Sequence, residues 1–416
     1  MNSIICVAIS SLLCLSAIYI LSTTQEIVGV DVNNNVINQQ KSHAVSSLLD
    51  KQEDGIESKK SIKEVKDINI NEELQNIVNK WKDKAKSIAK SQSKIYKKKY
   101  NHKTDRLPDK KDFPFVFFHQ RKAGGTSFKE HLYKQSNKKY KSSYITGYDV
   151  QWGSFTVPNP SDQKKESYDV YAGHFNYMHV YSNIAIKDAK TVLKMNKEIN
   201  NEEESTIPFS CIINARPTIE RVFSCFNYFF LQELKLNDIL PNAYNMTSSQ
   251  WNKYLPILYS KFHQGCNNEF VRNFADNNNE MLINNMFVSD EDSSNTMNIL
   301  LQNVLETVLS RVSQCTIMLL PKCTESVRVT QYYHPWLEMT DEYCNHKFNV
   351  GKEDPTTTPT TTNATTTIDS NPTSSNDGVP IDVQNVISKF NKLDDLVYEY
   401  LEVLFDEQYK ISREVY

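Results

Sequence analysis

The chain lacks the features by which several common classes of protein are recognised in sequence. Its 47 Lys and Arg residues are balanced by 50 Asp and Glu in 416 residues, so the net charge of −3 gives no global argument for a nucleic-acid partner. It has no C-x-x-C pair and no cluster of histidines, which disfavours a zinc site. The G-x-x-x-x-G-K-[ST] spacing is also absent, which disfavours a nucleotide triphosphatase or kinase. We predict no metal and no nucleic-acid partner.

Long apolar runs are scarce as well, because only residues 4–21 form one. This uncharged run has about the length of a helix that crosses a bilayer. A cleaved signal peptide and an uncleaved signal anchor are both compatible with it, and its length favours an anchor at residues 1–22. Either reading predicts that the rest of the chain lies in the secretory lumen, and the anchor predicts a single-pass type II membrane protein.

Cysteines and glycosylation sequons agree with a lumenal chain. Outside the apolar run the cysteine count is even, and up to three disulfides are possible, although their pairing is not deducible from sequence. The six residues are Cys211, Cys225, Cys266, Cys315, Cys323 and Cys344. The sequons predict glycans at Asn245 and Asn363.

Residues 23–112 are rich in Lys, Asn, Ser and Glu and read as a stem without a core of its own. Within residues 74–95, apolar residues recur every seven positions at Leu74, Trp81, Ile88 and Ile95. A short coiled coil that makes a homo-oligomer and a solvated helix both fit this stripe. The basic run at residues 97–111 is solvated, or attracts a polyanionic substrate if it packs beside an active site.

The lumenal body, residues 113–416, is predicted to be one α/β domain with a mainly parallel sheet flanked by helices. Short apolar runs predict buried strands at 113–119, 168–174, 208–215 and 315–321. Helical patterns lie between them at 126–135, 219–236 and 295–312. A Thr/Ser/Pro-rich tract at 352–379 is predicted to be a disordered insertion, and residues 381–412 a long amphipathic closing helix.

A glycine-containing loop lies between the first predicted strand and its helix, in FFHQRKAGGTSFKEHL at residues 117–132. Loop amides and the positive end of a helix dipole converge at such a junction, so a phosphate can approach the backbone. The alternative is a turn that uses glycine for geometry alone. The candidate anion-binding residues are Lys122, Ala123, Gly124, Gly125, Thr126 and Ser127.

This loop resembles the 5′-phosphosulfate-binding loop of Golgi sulfotransferases, in which an aromatic pair ends a strand before Lys-x-Gly-Gly-Thr-Ser. A second stretch, NARPTIERVFSCFNYFF at 214–230, is similar to the 3′-phosphate-binding segment of that family, with Arg216 followed eight residues later by Ser224. Here Pro217-Thr218 replaces the usual Asp-Pro. Arg221 matches a further family arginine, for which we expect an ion pair with Glu220 or another carboxylate.

A third stretch, YAGHFNYMHV at 171–180, resembles the Gly-His element of heparan sulfate 2-O-sulfotransferases, whose histidine is the general base. His174 takes that role in the resemblance, because an imidazole titrates near neutral pH. A hydrogen-bonded structural histidine is the alternative reading. His119 and His179 are weaker candidates.

The resemblance implies a P-loop-like sulfotransferase fold and 3′-phosphoadenosine-5′-phosphosulfate as the donor, without a metal. The acceptor would be a hydroxyl of a glycan, on a polysaccharide or a glycoprotein, in the Golgi lumen. The Gly-His element favours the heparan/uronyl 2-O-sulfotransferases, whereas the His-x-x-Lys loop is more similar to the 6-O-sulfotransferases. The position of sulfation therefore stays open. A protein-tyrosine sulfotransferase, a nucleotide-dependent phosphoryl-transfer enzyme and a non-catalytic secretory glycoprotein are the alternatives.

Overall fold

The computed structural model describes residues 67–99, 114–139, 141–149, 168–181, 209–236, 240–258, 266–275, 294–345 and 379–414. The predicted anchor at 1–22, the insertion at 352–379 except its last residue, and the sequon at Asn363 lie outside these ranges. No helix within them combines the length and the hydropathy of a membrane span.

A five-stranded parallel sheet forms the centre of the fold, in the order β2-β3-β1-β4-β5. The strands are β1 Phe115–Phe118, β2 Ser143–Ile145, β3 Val170–Gly173, β4 Ser210–Ala215 and β5 Thr316–Leu319. Every residue of β1, β3, β4 and β5 is buried, as expected for a parallel sheet covered on both faces. The predicted α/β class is therefore confirmed. The pattern missed β2, which is only three residues long.

Helices flank the sheet and connect its strands. The α-helices are α1 Asp67–Lys99, α2 Gly125–Lys138, α3 Tyr177–Val180, α4 Thr218–Phe226, α5 Ser248–Ile257, α6 Glu269–Phe274, α7 Ser294–Val312, α8 Cys323–Tyr333, α9 Glu342–Asn345 and α10 Ile381–Arg413. A π-helix, Asn227–Glu233, directly follows α4. The predicted single helix at 219–236 is thus an α-helix that changes to π geometry.

The strand order defines where a ligand crevice is expected. From β1 the chain crosses to β2 on one side of β1, whereas from β4 it crosses to β5 on the other side. In open parallel sheets, such a reversal leaves a crevice outside the carboxyl ends of the two strands between which it occurs, here β1 and β4. The loop that carries Lys122 follows β1, and Arg216 follows β4, so both lie at this reversal.

Helix α1 belongs to the body of the protein and not to a separate stem. Along its apolar stripe Leu74, Val78, Ala85 and Ala89 are buried, whereas Trp81 and Ile88 are partly buried, and α1 packs along the closing helix α10. The Trp81 and Tyr400 rings meet edge to face, with centroids 6.1 Å apart, and Gln75 Nε2 lies 3.1 Å from the Glu399 carboxylate. The compact unit begins at residue 65, whereas the sequence placed the boundary at residue 113. A coiled coil and a solvated helix were the alternatives for this stripe, which is instead covered by this chain's own helix α10.

Three disulfides join the six cysteines outside the apolar run, which is the largest number that the sequence allowed. The pairs are Cys211–Cys315, Cys225–Cys266 and Cys323–Cys344. The first pair links the residues at the starts of β4 and β5, which are neighbours in the sheet. The second ties α4 to the segment that begins α6, so it holds together two parts of the candidate site described below.

Candidate functional site

The loop after β1 has the backbone geometry of an anion-binding turn. Gly124 is the N-cap residue of α2 and has φ 79°, a left-handed conformation that glycine adopts at little cost. Lys122 also has a positive φ, 57°, which is uncommon for a residue with a side chain. No side chain among the described residues caps α2, and its first turn holds no acidic residue. The first amides of α2 and its positive dipole end therefore suit an anion.

Gly125 has a different reason for lacking a side chain. A Cβ atom at this position would lie 2.0 Å from Cδ2 of His119, which is closer than any real contact. The His119 ring therefore occupies the space beside Gly125. The two glycines serve different purposes, since Gly124 allows the turn and Gly125 makes room for a neighbouring imidazole.

Asn214, near the end of β4, binds the loop to the neighbouring strand. Its Nδ2 donates to the carbonyl oxygens of Ala123, at 2.7 Å, and Gln120, at 3.3 Å. Its Oδ1 accepts from the Gln120 amide at 2.8 Å. A side chain two residues before Arg216 thus fixes the loop that carries Lys122. Sequence reasoning missed this role, although Asn214 opens the stretch in which Arg216 was found.

Arg216 brings the two predicted anion motifs together. Its Nη1 donates to the carbonyl oxygen of Lys122 at 3.4 Å, and its Nε donates to Glu220 at 3.0 Å. Nη2 has no hydrogen-bond partner among the described residues. Ser224 lies two turns along α4 and is partly exposed. The guanidinium therefore reaches the edge of the sheet where the Lys122 loop lies.

A buried ionic network supports the loop that carries Lys122. The Glu269 carboxylate accepts from the Arg121 amide at 2.9 Å and pairs with Arg221 at 3.3 Å. Arg221 also pairs with Asp394 of α10 at 2.7 Å. The expected ion pair of Arg221 is therefore present, but its partners are Glu269 and Asp394, whereas Glu220 pairs with Arg216. Burial raises the pKa of both network carboxyls, and Arg221 opposes the shift.

The Lys122 ammonium group lies against the face of an aromatic ring. Its Nζ is 3.1 Å from the centroid of the Tyr228 ring, which the π-helix presents. Burial lowers the pKa of Lys122 to about 8, and the nearby Glu233 carboxylate opposes this shift. Lys122 therefore remains mostly cationic at neutral pH, as an anion-binding lysine must.

His174 and His119 form a stacked pair at the tips of β3 and β1. Their ring centroids are 4.1 Å apart with 24° between the planes. Nδ1 of His174 lies 2.6 Å from the carbonyl oxygen of His119. A carbonyl only accepts hydrogen bonds, so in the neutral ring Nδ1 carries the proton and Nε2 carries the lone pair. Burial, with help from Arg121, lowers the pKa of His174 to about 3, so the ring is neutral near pH 7.

Lys129 is a further buried cation that sequence reasoning missed. It lies in the second turn of α2, and its Nζ donates to the carbonyl oxygen of Thr146 at 2.8 Å and to the Thr146 hydroxyl at 3.2 Å. Burial lowers the pKa of Lys129 to about 8. Its charge lowers the pKa of both stacked histidines. The signal available in the sequence was helical spacing, because Lys129 lies four residues after Gly125 and three before Leu132, on the face that the structure buries.

The remaining predicted positions are His179, Thr126, Ser127 and Asn245. His179 is in the short helix α3 and is not part of the stack. Thr126 and Ser127 lie in the first turn of α2 and are exposed or partly exposed. Asn245 is exposed at the end of a 3-10 helix, Ala243–Asn245.

No group of three His, Cys, Asp or Glu side chains in the described ranges could hold a metal ion. Comparisons with family models and with curated protein sequences returned no match to this chain. Function is therefore inferred from the residues of the site.

Proposed function

We propose that the protein is a sulfotransferase that moves a sulfuryl group from 3′-phosphoadenosine-5′-phosphosulfate to a glycan hydroxyl. In this proposal it is a type II Golgi membrane protein with a lumenal catalytic domain. The observation that carries the proposal is the meeting of two cationic motifs at one edge of the sheet. Arg216 Nη1 lies 3.4 Å from the carbonyl oxygen of Lys122, on loops that follow adjacent parallel strands. A nucleotide with anionic groups at both ends of its ribose requires such a pair.

The donor would bind along this edge through its two anionic ends. The 5′-phosphosulfate fits the loop from Lys122 to Ser127, where an uncapped helix begins. The 3′-phosphate fits Arg216 and Ser224, since a guanidinium bonds phosphate through two N–H groups and a serine adds a hydroxyl. Glu220 holds Nε of Arg216 and so orients the guanidinium.

Transfer would begin when Nε2 of His174 accepts the proton of the acceptor hydroxyl. The acceptor oxygen then attacks sulfur, the bond between sulfur and the 5′-phosphate oxygen breaks, and Lys122 stabilises the negative charge on the departing oxygen. His174 has a low pKa in part because cationic side chains surround it. An anionic donor beside these cations offsets their field and raises the basicity of the ring where the proton is taken.

The test is a binding comparison by calorimetry on the purified lumenal chain. Adenosine 3′,5′-bisphosphate should bind about tenfold or more tightly than adenosine 5′-monophosphate, because a hydrogen bond to a charged group contributes about 1.5–3 kcal/mol. Arg216→Ala should remove this preference. Arg413→Ala, an exposed arginine in the last turn of α10, is the matched control and should keep it. Equal affinity for the two nucleotides in the wild-type protein would reject the proposal.

The acceptor can be identified with radiolabelled donor and a panel of desulfated glycans and tyrosine peptides. Label in a glycan supports the proposed acceptor class, and label in tyrosine replaces it. Binding of ATP with Mg²⁺ in preference to the bisphosphate would favour a phosphoryl-transfer enzyme instead.

A further inference from the structure

The π-helix Asn227–Glu233 places an aromatic ring over the lysine of the candidate site. Such helices are rare and often occur at functional sites, because the wider turn changes which side chains face a neighbour. Here Tyr228, in the first turn, lies with its ring centroid 3.1 Å from Nζ of Lys122. Tyr228 is 36% exposed, so it covers the lysine from the solvent side of the site.

Two electrostatic effects favour this contact. The face of an aromatic ring attracts a cation, most strongly when the cation is partly desolvated, as Lys122 is. The Tyr228 hydroxyl is hydrogen-bonded to Glu233, and the carboxylate attracts the same ammonium group. A hydroxyl that donates to a carboxylate also makes its ring richer in electrons, which strengthens the attraction.

The backbone of Lys122 is held as well as its ammonium group. Lys122 has a positive φ of 57°, and Arg216 donates to the Lys122 carbonyl oxygen. A lysine side chain ordinarily loses several rotatable bonds when it binds an anion. When both ends are already held, this ordering occurs on folding and not on binding.

We infer that Tyr228 is a positioning residue, which holds the Lys122 ammonium group in place at the loop before a donor binds. The inference rests on the proposed role of Lys122 in binding the donor. An ammonium group that lies on a ring contacts the ring with one side. The N–H groups on its other side can still donate to phosphate oxygens. The ring therefore orders the lysine without displacing the ligand.

A labelling experiment tests the contact without any donor. An amine-reactive reagent is applied over a range of pH, and mass spectrometry follows the modification of Lys122 in the wild-type protein, Tyr228→Leu and Tyr228→Phe. Loss of the ring destabilises the cationic lysine, so Tyr228→Leu should lower the pKa of Lys122 and raise its labelling rate at neutral pH about three- to tenfold. Tyr228→Phe keeps the ring and loses only the hydroxyl contact with Glu233, so its rate should lie closer to the wild-type rate than to that of Tyr228→Leu.

Tyr244→Leu is the matched control, because Tyr244 is a 58% exposed aromatic that packs on Phe223. It should not alter the labelling of Lys122. An unchanged pKa of Lys122 in Tyr228→Leu overturns the inference, and so does a phenylalanine variant that behaves like the leucine variant.

Steady-state kinetics tests the consequence for the donor. Tyr228→Leu should raise the KM for the donor about three- to tenfold and change kcat by less than about twofold, and Tyr228→Phe should restore the KM. Tighter donor binding in Tyr228→Leu would mean that the ring competes with the ligand, which contradicts positioning. If the wild-type protein neither binds nor uses the donor but the labelling result holds, the proposed function fails and the ring contact stands.

Discussion

Gly125 shows how one missing side chain orders the candidate site. The His119 ring fills the space beside it and stacks on His174, and the His119 carbonyl assigns the proton of His174 to Nδ1. The glycine, the stacked ring and the proposed base thus form one packing unit. A substitution at Gly125 should therefore disturb His174 through the His119 ring.

Gly125→Ala should destabilise the protein by about 1–3 kcal/mol, the usual cost of overpacking, because its Cβ collides with His119. Denaturant unfolding measures this change. The backbone at Gly125 has no positive φ, so alanine is strained only by the collision.

His119→Ala supplies the control for this prediction. In the double variant Gly125→Ala/His119→Ala the collision is absent, and Gly125→Ala should cost much less than it does alone. Gly124→Ala is the contrasting case, because its φ of 79° is strained with any side chain and His119→Ala should not relieve it. Equal costs of Gly125→Ala in both backgrounds would contradict the packing argument.

At the scale of elements, the packing of α1 on α10 is the largest departure from the sequence-based prediction. The periodicity of the apolar residues in α1 was recognised, but a stripe on one helix does not say which surface covers it. Gln92, the polar residue in the stripe, reads as a weak point of a coiled coil. In the structure its Nε2 donates to the carbonyl oxygens of Ser313 and Cys315, so it is a buried hydrogen-bonding residue of the body.

Leu74→Ala should lower the free energy of unfolding by about 2–5 kcal/mol, because Leu74 is 2% exposed in the α1 stripe. The molar mass in solution should not change, since this stripe faces the same chain. Denaturant unfolding and light scattering on the purified protein check the two statements. Lys86→Ala, on the exposed side of α1, is the control and should change stability by less than about 0.5 kcal/mol. Dissociation of an oligomer by Leu74→Ala would restore the coiled-coil reading.

At the scale of the whole molecule, buried titratable groups make stability depend on pH. Burial lowers the pKa of His334 to about 3, in a site where its Nε2 lies 3.1 Å from the Thr316 hydroxyl. The folded protein therefore leaves His334 neutral, whereas the unfolded chain protonates it below about pH 6.5. Stability is lost as pH falls below that value, because the unfolded state binds the additional proton.

His334→Gln should make the unfolding free energy less sensitive to acid. Between pH 6 and pH 5 the wild-type protein should lose about 1 kcal/mol more than the variant does. Urea unfolding at both pH values measures the difference. The buried carboxyls Glu269 and Asp394 shift stability in the opposite direction, but they are present in both proteins and cancel. Identical losses in the two proteins would show that His334 is protonated in the folded state.

The sequence by itself determined the α/β class, four of the five strands and the two motifs that meet at the site. These features depend on local patterns: a run of apolar residues buries both faces of a strand, and a glycine pair precedes a helix. The positions of Lys122 and Arg216 at neighbouring strand ends follow from those patterns once the strands are parallel and adjacent.

Only the tertiary structure decided which distant residues complete the site. Asp394 reaches Arg221 from 173 residues away, Glu269 supports the loop from 148 residues away, and the cysteine pairs join residues up to 104 apart. Each of these contacts links residues whose local patterns say nothing about the partner. Burial then sets the charge states, because a lysine or a histidine has a shifted pKa only where the packed chain removes water from it.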